Sequence, residues 1–201
     1  NGGGYFFDAR IMEINKKHCR LSIKAAREAE PPPQNLHLVS SPLKNRNRLE
    51  WMLEKATELE ATQITLVNFK NTERTRVNND RVERVLISAM KQSLSAFKPV
   101  YSYYEKFTKW LQTLDQQKMQ KLMADCETPD KPLLVEAYNP ESDAMLLFGP
   151  EGDLAPDEID KARNAGFQPV SLGNFRLRAE TAPVAGLSMV HAVNQLRQAK
   201  T

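Results

Sequence analysis

Apolar residues along this chain follow two kinds of pattern, and the change between them falls at EAEPPPQN, residues 28–35. Before that point, YFFDARIMEI and CRLSIK space their apolar residues as strands do, around a turn at residues 15–18, which predicts a β-hairpin. Three successive prolines cannot continue a helix or a central strand, so this segment reads as a stiff extended connector. After it, short apolar runs alternate with stretches of helical period. Residues 36–40 predict a strand, and residues 46–60 a helix with Leu49, Met52, Leu53, Ala56 and Leu59 on one face. Residues 62–69 predict the next strand. A helix over residues 81–97 carries Val82, Val85, Leu86, Ala89, Met90 and Leu94, with Asp80 as its N-cap and Glu83 at capping-box spacing. Phe107, Trp110, Leu111 and Leu114 predict a third helix, and residues 122–125 a short strand, while residues 133–137 fit either type. Residues 144–148 predict a strand. Pro156 at a first helical position, Asp157 and Glu158 in the first turn and Gly166 at the end mark another helix. Residues 169–172 predict a strand, residues 173–178 a loop, and the remainder a helix to about residue 200. This alternation predicts an α/β fold, a mainly parallel sheet with helices on both faces.

Composition narrows the picture. The chain has 201 residues, 41% hydrophobic and 26% charged, the profile of a globular protein of one or two domains. No apolar run approaches the ~20 residues of a membrane span, so no membrane partner is expected. NGGGYFFDAR lacks a starting Met and opens within a hairpin, so residues are expected to precede Asn1; no secretory leader is read there. Cys19 and Cys126 are too few for a disulfide framework or a zinc site, which suits a reducing cytoplasm, and both read as core residues. His18, His37 and His191 are isolated and read as structural; no metal-ligand spacing and no Ser/His/Asp set can be assembled, so no metal is expected. Trp51 and Trp110 read as core anchors.

Neither G-x-G-x-x-G nor G-x-x-x-x-G-K-[ST] occurs, so a dinucleotide or nucleoside triphosphate is not the expected guest. Two strand-to-helix corners carry more information: FGPEGDL at 148–154 and SLGNFRLRAETA at 171–182. Gly149 and Gly152 leave backbone groups open to a ligand, and Gly173 begins a loop that ends at the N-terminus of the last helix, where amides lack helical partners. The net charge is +3, and Lys44, Arg46, Arg48, Lys70, Arg74, Arg76, Arg81 and Arg84 crowd the first half of the chain. Such a cluster is either a footprint for a phosphate backbone or a solvated charged face.

GPEG after an apolar strand, then SLG, then LRAETA opening the last helix, together resemble the RsmE-type ribosomal RNA methyltransferases of the SPOUT superfamily. SPLKNRNRLEWMLEKATELEATQI, NTERTR and ISAMKQS are similar to further stretches of that family, in the same order. The resemblance implies methylation of a uridine of small-subunit (16S) ribosomal RNA at ring N-3, with S-adenosylmethionine as cofactor and no metal. It implies a cytoplasmic homodimer with a C-terminal deep trefoil knot. Residues 1–33 would be the remainder of an RNA-binding PUA-like β-barrel and residues 34–201 the methyltransferase domain. Gly149, Pro150, Glu151 and Gly152 would form one cofactor wall, Ser171, Leu172 and Gly173 a second, and Leu177, Arg178, Thr181 and Ala182 a third. Arg178 would stabilise the uracil anion; Glu180 either orients Arg178 or is an acidic residue suited to a first helical turn. Lys44, Arg46, Arg48, Arg74 and Arg76 would hold RNA phosphates, and Gln92 either reads a base edge or is an ordinary exposed helical residue. The chain departs from the family pattern at Asp153 and Leu154, where Gly and Phe are usual, at Glu60, where Gly is common, and in KQSLSAFKP, which lacks an Arg. The alternative is an RNA-binding or ribosome-assembly protein on the same scaffold with an altered cofactor loop.

Overall fold

The computed structural model describes residues 2–114 and 119–198. Strands β1 (Tyr5–Ile14) and β2 (Cys19–Glu28) form an antiparallel hairpin. Its turn closes on Asn15, whose side chain accepts from the amides of Lys17 at 3.0 Å and His18 at 2.8 Å. The hairpin meets the rest of the chain at a bridge between Gly3 and Phe97 and a hydrogen bond from the Gly4 amide to the Ala96 carbonyl.

The remaining strands are β3 (Leu36–Ser40), β4 (Gln63–Val67), β5 (Val100–Tyr104), β6 (Gln120–Ala124), β7 (Ala144–Phe148) and β8 (Gln168–Val170). They form a six-stranded parallel sheet in the order β5-β4-β3-β7-β6-β8. Every residue of β3 and β7 is buried, as expected of central strands covered on both faces. Helices α1 (Arg46–Glu58), α2 (Asn79–Gln92), α3 (Phe107–Leu111), α4 (Leu134–Ala137), α5 (Pro156–Asn164) and α6 (Thr181–Gln198) complete the chain.

Successive strand residues point to opposite faces, which divides the core in two. Leu38, Ile64 and Leu146 join Met52 and Leu53 of α1, Leu86 of α2 and Leu187 of α6. Their neighbours Val39, Val67 and Leu147 join Phe107 and Trp110 of α3, Ile159 of α5, and Phe167. Gly186 lets α6 approach β7 closely, since a Cβ there would stand 2.7 Å from Cζ of Phe148. One polar line crosses this sheet. His37 Nε2 lies 2.8 Å from Thr65 Oγ1, which lies 2.8 Å from Ser102 Oγ, so β3, β4 and β5 are linked by side chains as well as backbone.

Several expectations need correction. The N-cap of α2 is Asn78, whose side chain accepts from the Arg81 amide at 3.0 Å, and Asp80 lies inside the helix. That helix stops at Gln92 rather than near residue 97, so Leu94 falls outside the apolar face and is 80% exposed. β5 was not expected, because VYSYY is half polar and forms the sheet edge. Residues 133–137 resolve as the short helix α4. Cys19 and Cys126 are exposed rather than core, and Trp51 is 41% exposed, whereas Trp110 is buried as expected. The expected end of the last helix near residue 200 lies outside the described residues.

Three helices end in one motif with three different residues. After α5, Gly166 takes φ 91 while its amide bonds the Arg163 carbonyl and the Phe167 amide bonds that of Ala162. After α1, Glu60 takes φ 63 with the pairs Glu60–Thr57 and Ala61–Ala56; after α2, Leu94 takes φ 56 with Leu94–Lys91 and Ser95–Met90. Only glycine adopts this left-handed backbone without steric cost. Leu94→Gly and Glu60→Gly are each expected to stabilise the fold by about 0.5–1 kcal/mol, read by urea denaturation, since the relieved strain exceeds the added freedom of the unfolded chain. An unchanged midpoint for Leu94→Gly, where no packing is lost, would show that the motif tolerates Cβ here.

Candidate functional site

The C-terminal ends of β6, β7 and β8 converge on a cavity of about 320 Å³, the place where open α/β sheets hold ligands. Phe148, Gly149, Pro150, Glu151 and Asp153 enter from the β7 corner, and Val170, Ser171, Leu172 and Gly173 from the end of β8. Leu177 and Ala179 close it from the segment leading into α6, and Ala182 from the first turn of that helix. The two corners singled out in the sequence therefore form one site.

Local hydrogen bonds fix each wall. At the β7 corner the Asp153 amide bonds the Pro150 carbonyl at 2.9 Å, and Glu151 Oε1 accepts the Lys44 amide at 2.8 Å. Asn71 Nδ2 holds the carbonyls of Gly152 and Asp153 from outside, at 3.0 and 3.1 Å. Gly152 packs on the Asn71 side chain and does not line the cavity, unlike its three predecessors. Asp153 stands at φ 62, with Oδ1 accepting the Leu154 amide and Oδ2 buried with no hydrogen-bond partner among the described residues other than the Cys126 thiol beside it. At the second wall, the Gly173 amide bonds Ser171 Oγ at 3.2 Å. Gly173 takes φ 119, and a Cβ on it would meet no atom within 4 Å, so its backbone borders open space.

The end of β6 supplies a part of the site that was not expected. Asp125, Cys126 and Lys131 line the cavity, and the run ADCETPDK after an apolar strand was the available signal. Asp125 is saturated by the amides of Glu127 and Thr128 and the Thr128 hydroxyl, with Lys131 Nζ 3.5 Å from its Oδ1. Burial, and after it the adjacent Asp153 carboxylate, pushes the Cys126 thiol up, so it rests as a neutral thiol.

Arg178 and Thr181 are not among the lining residues. Arg178 is an exposed guanidinium on the loop before α6, with Nη1 3.9 Å from Glu180 Oε1. Glu180 is 8% exposed, and the same oxygen lies 3.3 Å from Nε of Arg48. A buried carboxylate thus gathers two arginines beside the cavity. It accounts for Glu180 better than a bare preference for an acidic first turn.

The expected phosphate-binding residues divide. Lys44 pairs with Glu73 at 2.6 Å and Arg46 with Glu50 at 2.8 Å, where Arg81 also bonds, and these partners hold the Glu50 carboxyl at about 2. Arg74 bonds the Arg76 carbonyl through Nε, while the Arg76 side chain makes no ion pair among the described residues. Gln92 is exposed at the far end of α2 and lines no part of the cavity. No helix among the described residues is long and apolar enough to cross a membrane.

Residues 30–191 match the model of the RNA methyltransferase domain family. The ribosomal RNA small subunit methyltransferase E of Synechocystis sp. is 28% identical over 200 residues, spanning 96% of this chain and 64% of that protein. The enzyme of the same name from Bacillus subtilis is 26% identical over 210 residues, spanning 96% and 80%. Among solved structures, a probable rRNA-methyltransferase from Porphyromonas gingivalis superposes with a TM-score of 0.90 at 33% identity, covering 98% of this chain and 83% of that one. A ribosomal RNA small subunit methyltransferase E from Neisseria gonorrhoeae bound to S-adenosyl methionine gives 0.83 at 26%, covering 96% and 80%. This chain thus spans just under two thirds of the Synechocystis protein and about four fifths of the others.

Proposed function

The chain belongs to the RNA methyltransferase family, and on that premise we propose that it methylates a uridine of small-subunit (16S) ribosomal RNA at ring N-3, using S-adenosylmethionine. The observation that carries this reading is the meeting of the GPEG, SLG and LRAETA segments around one cavity. The cavity suits that cofactor: Val170, Leu172, Leu177 and Ala179 offer apolar walls for a planar base, and the Gly149 and Gly173 backbones face the space between. Oδ2 of Asp153 is buried beside the Cys126 thiol with no other hydrogen-bond partner among the described residues. When bound, S-adenosylmethionine supplies an electrophilic methyl group on a sulfonium centre. The protein's task is then to raise the share of uracil anion, whose charge spreads onto the two carbonyl oxygens. Arg178 serves that purpose from the cavity rim, with two parallel donors that never lose their proton. Glu180 restrains it, and Arg48 shares the same carboxylate rather than lying free for phosphate.

The hairpin belongs to the same reading as the remainder of a PUA-like barrel. Phe7, Ile11, Leu21 and Ile23 are exposed, and the Ala9–Ile23 and Ile11–Leu21 pairs put an apolar strip on one face that a closed barrel would cover. A C-terminal deep trefoil knot, a cytoplasmic location and a homodimer seated around α6 complete the proposal. The α6 residues Ala182, Ala185, Met189 and Val193 remain partly exposed, and light scattering giving a monomer mass would remove the dimer.

The altered-scaffold alternative rests on Asp153, which occupies a backbone conformation suited to Gly. One experiment separates the two. Calorimetric titration with S-adenosylmethionine is expected to show one site per chain, and mass spectrometry of nucleosides from treated 16S RNA to show a methyluridine. RNA binding without cofactor binding would favour the alternative.

A further inference from the structure

A second cavity opens at the other half of the sheet's C-terminal edge. It lies beyond β4 and β5 and is lined by Asn68, Lys70, Arg76, Lys106 and Lys161, with Phe107 packed behind them. Its volume is about 510 Å³. Its cations are not equivalent. Lys70 and Lys161 converge on Asp157 at 2.6 and 2.7 Å and are neutralised in part. Arg76 and Lys106 pair with no carboxylate among the described residues, so their charge is free. Two carboxylates share the wall. Glu158 is occupied by the amides of Lys70 and Ala155, at 2.9 and 3.0 Å, while Glu105 is exposed. Asn68 is 9% exposed, and its amide nitrogen serves the Thr75 carbonyl and the Tyr103 hydroxyl. Its Oδ1 is buried with no hydrogen-bond partner among the described residues, and as an acceptor it offers nothing to an anion, so the cations carry the character of this cavity.

This cavity is coupled to the first through two adjacent residues. Lys70 belongs to it, and the following Asn71 holds the carbonyls of Gly152 and Asp153 at the cofactor corner. Both cavities lie on the C-terminal edge of the same parallel sheet, so a polyanion extended along that edge can reach both. Resting on the RNA reading above, we infer that the second cavity seats a phosphodiester of the RNA strand, with Arg76 and Lys106 as its direct partners and Lys70 and Lys161 as a polarised rim. Charge complementarity selects a phosphate over a neutral guest, and the position at strand ends gives it the same approach as the cofactor site.

The test is the double variant Arg76→Ala/Lys106→Ala, measured for binding to a single-stranded 16S RNA fragment over a salt series. Both residues are on the surface, and a thermal melt verifies folding. A lost phosphate contact lowers the slope of log affinity against log salt by about 0.7, so removing both partners of the one phosphodiester should lower it by about 0.7. Affinity near 0.1 M salt should fall roughly tenfold or more, with S-adenosylmethionine affinity unchanged. An unchanged slope in the folded variant, or a wild-type protein that does not bind the fragment, overturns the inference. Failure of the methyltransferase reading looks different, as absent cofactor binding in the wild type while RNA affinity still responds to the two substitutions.

Discussion

Replacing Arg178 by alanine is expected to lower methyl transfer about 100- to 1000-fold, the usual loss when one preorganised donor to a developing oxyanion is removed. S-adenosylmethionine affinity should stay near wild type, because Arg178 lies outside the cavity lining and the walls are made largely of backbone and apolar side chains. Arg178→Lys should recover only part of the loss, since an ammonium has no planar pair of donors. The opposing view is that Arg178 only shapes the loop before α6. Cofactor affinity and thermal stability would then fall along with turnover. Single-turnover methylation and calorimetry on the same preparations distinguish the two. Turnover at the wild-type level in Arg178→Ala would place the active centre elsewhere.

Between pH 7 and pH 5 the fold is expected to lose about 2 kcal/mol of stability through His37 alone, approaching about 3 kcal/mol at pH 4. Burial lowers the His37 pKa from its usual 6.5 to about 4. The unfolded chain therefore binds a proton below pH 6.5 that the native state refuses until near pH 4. In that window the unfolded state carries more protons, so stability rises with pH and is flat above about 7. Urea denaturation at half-unit pH steps reads the slope. His37→Gln, which removes the titration but keeps a polar group near Thr65, should have a lower plateau and lose this slope. A wild-type stability that is level between pH 7 and pH 5, or a slope that survives in the variant, would discount His37.

Much of the fold was legible because burial imposes simple patterns. β7 is an uninterrupted apolar run and β3 a largely apolar one, and their limits, residues 144–148 and 36–40, coincide with those read from the chain. β5 was not legible, since an edge strand with partly exposed tyrosines has no such run. Nor was the end of α2, because Leu94 sits in a left-handed turn where its chemistry gives no warning. At the site, the two glycine-bearing corners could be read but not the third, as Asp125 and Lys131 serve the cavity only after β6 is placed beside β7. Glu180 illustrates the same limit. Its bond to Arg48 joins residues 132 positions apart, which spacing along the chain cannot disclose.

The sheet order also sets a schedule for folding. β3 pairs with β4 within about 25 residues, but its other edge waits for β7, where Leu36 meets Ala144 and Val39 meets Leu147. Until residue 147 leaves the ribosome, β3, a strand buried at every position, has one row of amides and carbonyls unpaired. Closing a loop of more than 100 residues around that row is the non-local contact formation that slows folding. During synthesis this chain therefore carries an open sheet edge, and its central strand pair, on which the cofactor corner is mounted, is among the last contacts to form.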